Sequence, residues 1–330
     1  MPAVSVIIPV YQVEPYMARC ARSLFGQTLK DLEFIFIDDC TPDRSMTIMQ
    51  EVLEEFPERK AQVRAFRMPQ NSGQAKVRMQ GISMATGDYV MHCDSDDELD
   101  TAACRQMYEK AVAENLDIVS CDFVRIFPDG KKIVISQVSK PGQELADVLF
   151  NRVWGSLWCR LIRRPLLAGI VPPEGNLCED VVITCQAICN ARHFGYVQEV
   201  LYHYYVRESS AMFSYHLDSV RNGILANANI LIRVLRDTYH FSDKAPAIVY
   251  YKYNNRRYLM PKVHIATYYE KWRNTFPEID RYFLFVPGIP LDTKFWFVLI
   301  HLHLYHPWKR VSSSIRKWFS RLLKNAYASS

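Results

Sequence analysis

Apolar and polar positions follow two rhythms along the first 115 residues. Val4-Ser-Val-Ile-Ile-Pro-Val10 is a short β-branched run and reads as a buried strand. Met17, Cys20, Ala21, Leu24 and Phe25 then recur at helical spacing and define one apolar face. Pro15 suits the first turn of that helix, where its missing N–H costs nothing. The same alternation predicts strands over Leu32 to Ile37, Val63 to Phe66 and Tyr89 to Cys93. Helices are expected over Ser45 to Phe56, Gln74 to Ala85 and Thr101 to Asn115. Repeated strand–helix pairs predict an α/β fold with a mostly parallel central sheet flanked by helices.

The rhythm changes after Ile118. Val119 to Ile126 and Lys131 to Ile135 flank Pro128-Asp-Gly130 and predict a hairpin. Val197 to Val206 is another strand-like run, and from Ser214 through Tyr269 the pattern is mainly helical. No internal repeat or Gly/Ser linker divides the chain. Three regions are expected: 1–212 with the sheet, 213–294 as a helical extension, and 295–330 as a basic tail.

Composition narrows the class. The 330 residues are 49% hydrophobic and 23% charged, which excludes a disordered chain, a coiled coil and a collagen-like repeat. No apolar run approaches the ~20 residues of a spanning helix. The first ten residues lack a basic segment, so a cleaved signal is not expected. Nine Cys, an odd number with no Cys-x-x-Cys pair, argue against a disulfide framework or zinc ribbon and fit a reducing cytoplasm.

Charge is unevenly placed. The net +5 arises in the tail, where Lys309, Arg310, Arg316, Lys317, Arg321 and Lys324 stand among no acidic residues after Phe295. The body is close to neutral and does not read as a nucleic-acid binder. Val311, Ile315, Trp318, Phe319, Leu322 and Leu323 form one helical stripe opposite Lys317, Arg321 and Lys324. That pattern suits an anionic membrane surface, with packing on the body or in a dimer as the other reading. His301, His303 and His306 read as interfacial residues ahead of a metal cluster, and Cys178, Cys185 and Cys189 as core.

Acidic clusters stand where the second and fourth strands end. In open α/β sheets, ligands bind outside the carboxyl ends of strands. Asp94-Ser-Asp-Asp97 places Asp94 and Asp96 on one side of an extended segment, suited to a metal–diphosphate. Alone it is equally a solvated turn or helix cap. An EF-hand is excluded, because Leu99 stands where such a loop needs Gly. Asp38-Asp39, with Asp43, offers acceptors for a base or ribose, and again reads equally as a turn and cap. Gly73 suits a tight turn after Asn71, and Arg78 is placed to reach a phosphate or the nearby Asp cluster. Glu179-Asp180 follows a Pro/Gly loop and is either a capped helix start or a site carboxylate pair. His92 reads as a strand residue. Gly-x-Gly-x-x-Gly, Walker and Gly-x-Ser-x-Gly motifs are missing, which disfavours dinucleotide enzymes, NTPases and α/β-hydrolases.

Taken together these segments resemble glycosyltransferase family 2, nucleotide-sugar enzymes of the GT-A, Rossmann-like fold. The resemblance runs through Val4 to Tyr11, Leu24 to Thr28, Phe36-Ile-Asp-Asp39, Asn71-x-Gly73, Arg78, Gly81, Ala85 to Val90 and Asp94-Ser-Asp-Asp97. It continues at Trp158 to Arg163, Glu179-Asp180 and Tyr202 to Arg207 with Ser210. It implies nucleotide-binding roles for Pro9, Val10, Tyr11, Glu14, Asp38, Asp39, Asn71, Arg78, Asp94 and Ser95. It implies Asp96, with Asp94, as ligands of Mn2+ or Mg2+, and Asp180 beside Glu179 as the general base of an inverting displacement. The implied donor is a nucleoside-diphosphate sugar, UDP favoured. The implied acceptor is a cell-surface glycan or glycolipid, as in lipopolysaccharide, capsule or exopolysaccharide synthesis, at the inner face of the cell membrane. Gln12, Cys40-Thr-Pro42, Lys76-Val77 and Arg160 depart from the family pattern, but no carboxylate is lost. A nucleotidyltransferase of related fold and a non-catalytic membrane-bound scaffold are the rival readings.

Overall fold

The computed structural model describes residues 2–207, 218–262 and 265–304. They divide into two compact units, 1–243 and 244–330.

The first unit is built on a mixed sheet. Its parallel part takes β1 (Val4–Val10), β2 (Leu32–Asp38), β3 (Val63–Arg67) and β4 (Tyr89–His92) in the order β3-β2-β1-β4. β8 (Arg160–Arg163) joins β4 antiparallel and leads to β6 (Ile118–Ile126). Beyond it lie β9 (Phe194–Tyr205), parallel to β6, and the two-residue β5 (Glu98–Leu99). β7 (Lys132–Ile135) closes the expected hairpin on β6, with Gly130 at positive φ in its turn.

β1 and β2 are buried almost throughout because helices cover both faces. On one face, α1 (Glu14–Phe25) inserts Met17, Cys20, Ala21, Leu24 and Phe25, the stripe read from the sequence. α2 (Ser45–Leu53) and α4 (Ala103–Ala113) complete that core against Val6, Ile8, Phe34 and Phe36. On the other face lies α3 (Gln74–Met84), which buries Ala75, Val77, Arg78 and Gly81. The short α5 (Glu144–Leu149) precedes β8, and α6 (Glu179–Asn190) packs between α3 and α7 (Asp218–Asp237).

Most boundaries fall within three residues of expectation. α2 stops three residues early, where Pro57 opens a 3₁₀ turn. β3 is an exposed edge strand. β5, α5 and β8 were not read from the sequence, because these short runs lack the β-branched clusters or turn signals that flagged β3, β4 and β7.

The second unit packs α8 (Pro246–Arg256), α9 (Ala266–Asn274) and α10 (Leu291–His301) around Tyr253, Trp272, Phe283 and Phe297. Buried Arg256 lies 3.6 Å over the Trp272 ring and pairs with Asp280. His301 also meets Asp280 and packs against Trp272, both within the second unit. None of the described helices is long and apolar enough to cross a membrane. The expected amphipathic stripe from Val311 to Leu323, His306 and Ser210 lie outside the described residues.

Candidate active site

The strand order reverses direction at β1, which has β2 on one side and β4 on the other. Loops leaving such neighbouring strand ends diverge and open a crevice. Pro9, Val10 and Tyr11 leave β1 there, Asp38-Asp39 leaves β2, and Asp94 to Asp97 leaves β4. The β1 and β4 ends are tied together by Ser95 Oγ, which donates to the Pro9 carbonyl at 2.6 Å. Tyr11 is exposed at the mouth.

Asp94 to Asp97 is a turn, closed by Asp97 N–H donating to the Asp94 carbonyl at 3.0 Å. The extended geometry expected from the sequence is therefore replaced by a tighter one, with the same result. Carboxylate oxygens of Asp94, Asp96 and Asp97 come within 4.8 Å of one another. Their roles differ. Asp97 is fully buried, accepts from Tyr202 Oη and Tyr205 N–H, both at 2.8 Å, and supports the turn. Burial, reinforced by the charge of Asp94, pushes its carboxyl well above the ordinary range. Asp94 and Asp96 are half-buried. Asp94 takes 2.8 Å contact from Arg78 Nη2, and Asp96 pairs with Arg207. Hard oxygen donors on two carboxylates, completed by substrate phosphates, fit a divalent cation such as Mg2+ or Mn2+.

Arg78 joins two loops that are remote in sequence. It is buried; its Nη2 meets Asp94, and its Nε donates to Glu179 Oε1 at 3.0 Å. Its Nη1 lies 3.4 Å from His92 Nδ1. Burial, then the adjacent guanidinium, pushes the His92 imidazole well below its usual pKa, so it stays neutral. His92 is thus the strand residue expected.

Glu179 and Asp180 open α6, where Cys178 adopts a left-handed conformation with φ 60°. They form the expected helix start, and Arg78 sets that start beside the acidic turn. The helix N-terminus favours negative charge. Burial and the neighbouring Asp180 nevertheless push Glu179 up to about 7 against the pull of Arg78. Burial likewise raises Asp180, with Arg78 opposing.

The Asp38-Asp39 pair is already engaged by backbone. Asp38 accepts from Thr41 N–H at 2.7 Å and pairs with Arg67 at 3.1 Å. Asp39 accepts from Ser72 and Gly73 N–H at 2.6 and 2.9 Å, and so shapes the loop that contains Asn71. Asp43 ties the β1 and β2 loops by accepting from Glu14 N–H at 3.0 Å, while the Glu14 carboxylate accepts from Arg44 N–H. Gly73 adopts φ 82°, which favours glycine; a Cβ there would also require the exposed Asn176 side chain to move.

Three residues had no role assigned from sequence. Tyr202 links β9 to the acidic turn, with its Oη also accepting from Asp94 N–H at 3.1 Å. Arg207 covers Asp96. Buried Asn227 of α7 takes N–H donors from Glu174 and Gly175 and donates to the carbonyls of Gly175 and Leu177, clamping the loop before Glu179. An Asn inside an apolar helical stripe was the signal for the last.

This crevice, with strand-end carboxylates over a half-parallel sheet, has the architecture of a GT-A fold. The structure resembles Staphylococcus aureus TarS residues 1–349 in complex with UDP-GlcNAc, with a TM-score of 0.59 and 18% identity over 86% of this chain and 91% of that one. It also resembles the mannosyltransferase PcManGT of Pyrobaculum calidifontis in complex with GDP-Man and Mn2+, with a TM-score of 0.55 and 14% identity over 94% and 87%. The Glycosyl transferase family 2 profile matches residues 5–167. EpsJ of Bacillus subtilis (strain 168), an uncharacterised glycosyltransferase, is 33% identical over 62% of this chain and 61% of its own length. The chain belongs to glycosyltransferase family 2. Its alignment spans about three fifths of that relative.

Proposed function

We propose that this protein is an inverting glycosyltransferase that moves one sugar from a nucleoside-diphosphate donor to an acceptor hydroxyl. The observation that carries this is Arg78, bonded at once to Asp94 and Glu179. One guanidinium thereby holds the cation cluster and the carboxylate pair of α6 on the same crevice.

Tyr11 offers a face for the nucleobase, with Asp38 and Asp39 setting the loops around it. Asp94 and Asp96 would hold a divalent cation, Mn2+ or Mg2+, which when bound neutralises charge on the leaving diphosphate. Arg207 must leave Asp96 for that to happen. Asp180 takes the proton of the acceptor hydroxyl as that oxygen attacks the anomeric carbon and the diphosphate departs from the opposite face. Glu179, pinned by Arg78, fixes the helix start that carries Asp180. The UDP-GlcNAc of TarS and the GDP-Man and Mn2+ of PcManGT support a nucleotide sugar and a cation; the donor we propose is a UDP-sugar.

The acceptor proposed is a cell-surface glycan or glycolipid reached at the inner membrane face through the basic tail. NMR of the product tests the stereochemistry: inversion at the anomeric carbon is expected, and retention contradicts a single displacement. Flotation with anionic liposomes tests the membrane step. Loss of binding on deleting 295–330 is expected, and unchanged binding removes it.

A further inference from the structure

Beyond the cation cluster, the sheet carries a group of side chains that the donor chemistry leaves unused. Strand register pairs Phe123 of β6 with Tyr202 of β9, and Arg125 with Tyr204. Residues two apart share a face, so these four stand together. Trp158 stacks on Tyr202 at 4.3 Å and lies parallel to Tyr204 at 5.8 Å. Trp154 extends the group, 5.0 Å from Phe123 and 6.0 Å from Tyr204. Phe123, Trp158 and Tyr202 are buried, whereas Trp154 is 36% exposed, so the group is open at that end.

Arg125 lies at this open end. Its guanidinium is 5.7 Å from the Trp154 ring centroid and 4.9 Å from that of Phe127. Among the described residues it makes no hydrogen bond or ion pair, and its Nε is shielded from solvent with no acceptor. A half-buried cation without a counter-charge is costly. A negatively charged group arriving from solvent would complete its surroundings.

The place is the right one for an acceptor. At the inner end of the aromatic group, Tyr202 Oη donates to Asp97. At the outer end, the Trp154 carbonyl is held by Arg160 Nη2 at 2.6 Å. The next residue, Gly155, is pressed on the first turn of α6: a Cβ there would lie 2.9 Å from Val181 Cγ2, adjacent in sequence to Asp180.

We propose that Trp154 and Arg125 form an acceptor subsite for a saccharide bearing a negative group. The indole would stack on the C–H face of the sugar. Arg125 would pair with a uronic-acid carboxylate or a phosphate. This rests on the sugar-transfer reading above. The test is a tryptophan-fluorescence titration of the full-length protein with methyl β-glucuronide, glycerol 3-phosphate and methyl β-glucoside. At least one anionic probe is expected to bind about tenfold more tightly than the neutral glucoside. The tighter of the two anions identifies the group. Arg125→Lys should keep the preference, Arg125→Gln should remove it, and Trp154→Ala should weaken binding of the preferred probe. Equal binding of all three probes to the wild type, or none, overturns the proposal without any variant. Release of nucleoside diphosphate from donor sugar by the wild type is followed separately. Release without anionic preference sinks the subsite alone. Preference without release sinks the transfer reading and, with it, the acceptor role of the subsite, leaving only a saccharide-anion site.

Discussion

Asp96 shows how one residue divides stability from chemistry. It is half-buried, and its carboxylate is tied to Arg207 at the surface of the crevice. A pair that water still reaches contributes about 1 kcal/mol or less to stability. Asp96→Ala should therefore leave the melting temperature nearly unchanged and lower sugar transfer by about 100-fold or more, as expected when transition-state charge loses its support. A large fall in melting temperature would mean the pair is structural. Arg78 is the opposite case. Arg78→Ala strands Asp94 and buried Glu179 without their partner, and breaking a buried pair costs about 3–5 kcal/mol. Urea unfolding should show that loss, and a midpoint equal to the wild type would contradict the bridge. Glu179 adds a pH signature. The folded state holds its proton up to about 7, against an ordinary 4.5. Between those values the folded state binds more protons than the unfolded one, so this group's contribution to stability falls as pH rises through the window. Glu179→Gln should flatten that slope in denaturation curves measured from pH 4.5 to 7.5.

Legibility differed sharply between elements. α1 could be read residue by residue, because its period and Pro15 agree with a helix packed on one face. β1, β2 and β4 were legible as β-rich runs buried between two layers. β5 and β8 were not, since their short runs lack such clusters and their pairing is set by distant strands. The carboxylates of the site were all named from the sequence, yet their geometry was hidden. The convergence of Asp94 and Asp96 comes from a turn, and the coupling of Glu179 to Asp94 runs through Arg78 on a third element. Asn227 lies 48 residues beyond Glu179 and clamps its loop through backbone bonds, which leave no motif. The loop between β3 and α3 is the element most exposed to a single change. Gly73→Ala forces a side chain into positive φ, which should lower stability by about 1 kcal/mol and weaken nucleotide binding. Calorimetric titration with UDP checks the second effect.

At the scale of the whole molecule, the crevice is assembled from segments between Pro9 and Arg207, all in the first unit. α7 belongs to that unit and contributes the Asn227 clamp, so the crevice depends on chain well beyond the profile match at 5–167. The second unit has its own aromatic core, and its buried cations Arg256 and Lys252 pair with the more exposed Asp280 and Glu278. Donor chemistry should therefore be carried by the first unit, and the basic chain after Phe295 should act on where the enzyme works. The most direct measurement is the initial rate of UDP release from a panel of UDP-sugars with Mn2+, for the wild type and Asp180→Asn. The account predicts release by the wild type and a loss of about 100-fold or more in the variant, the size of a missing general base. Equal rates in the two proteins, or no release with any donor, would contradict it.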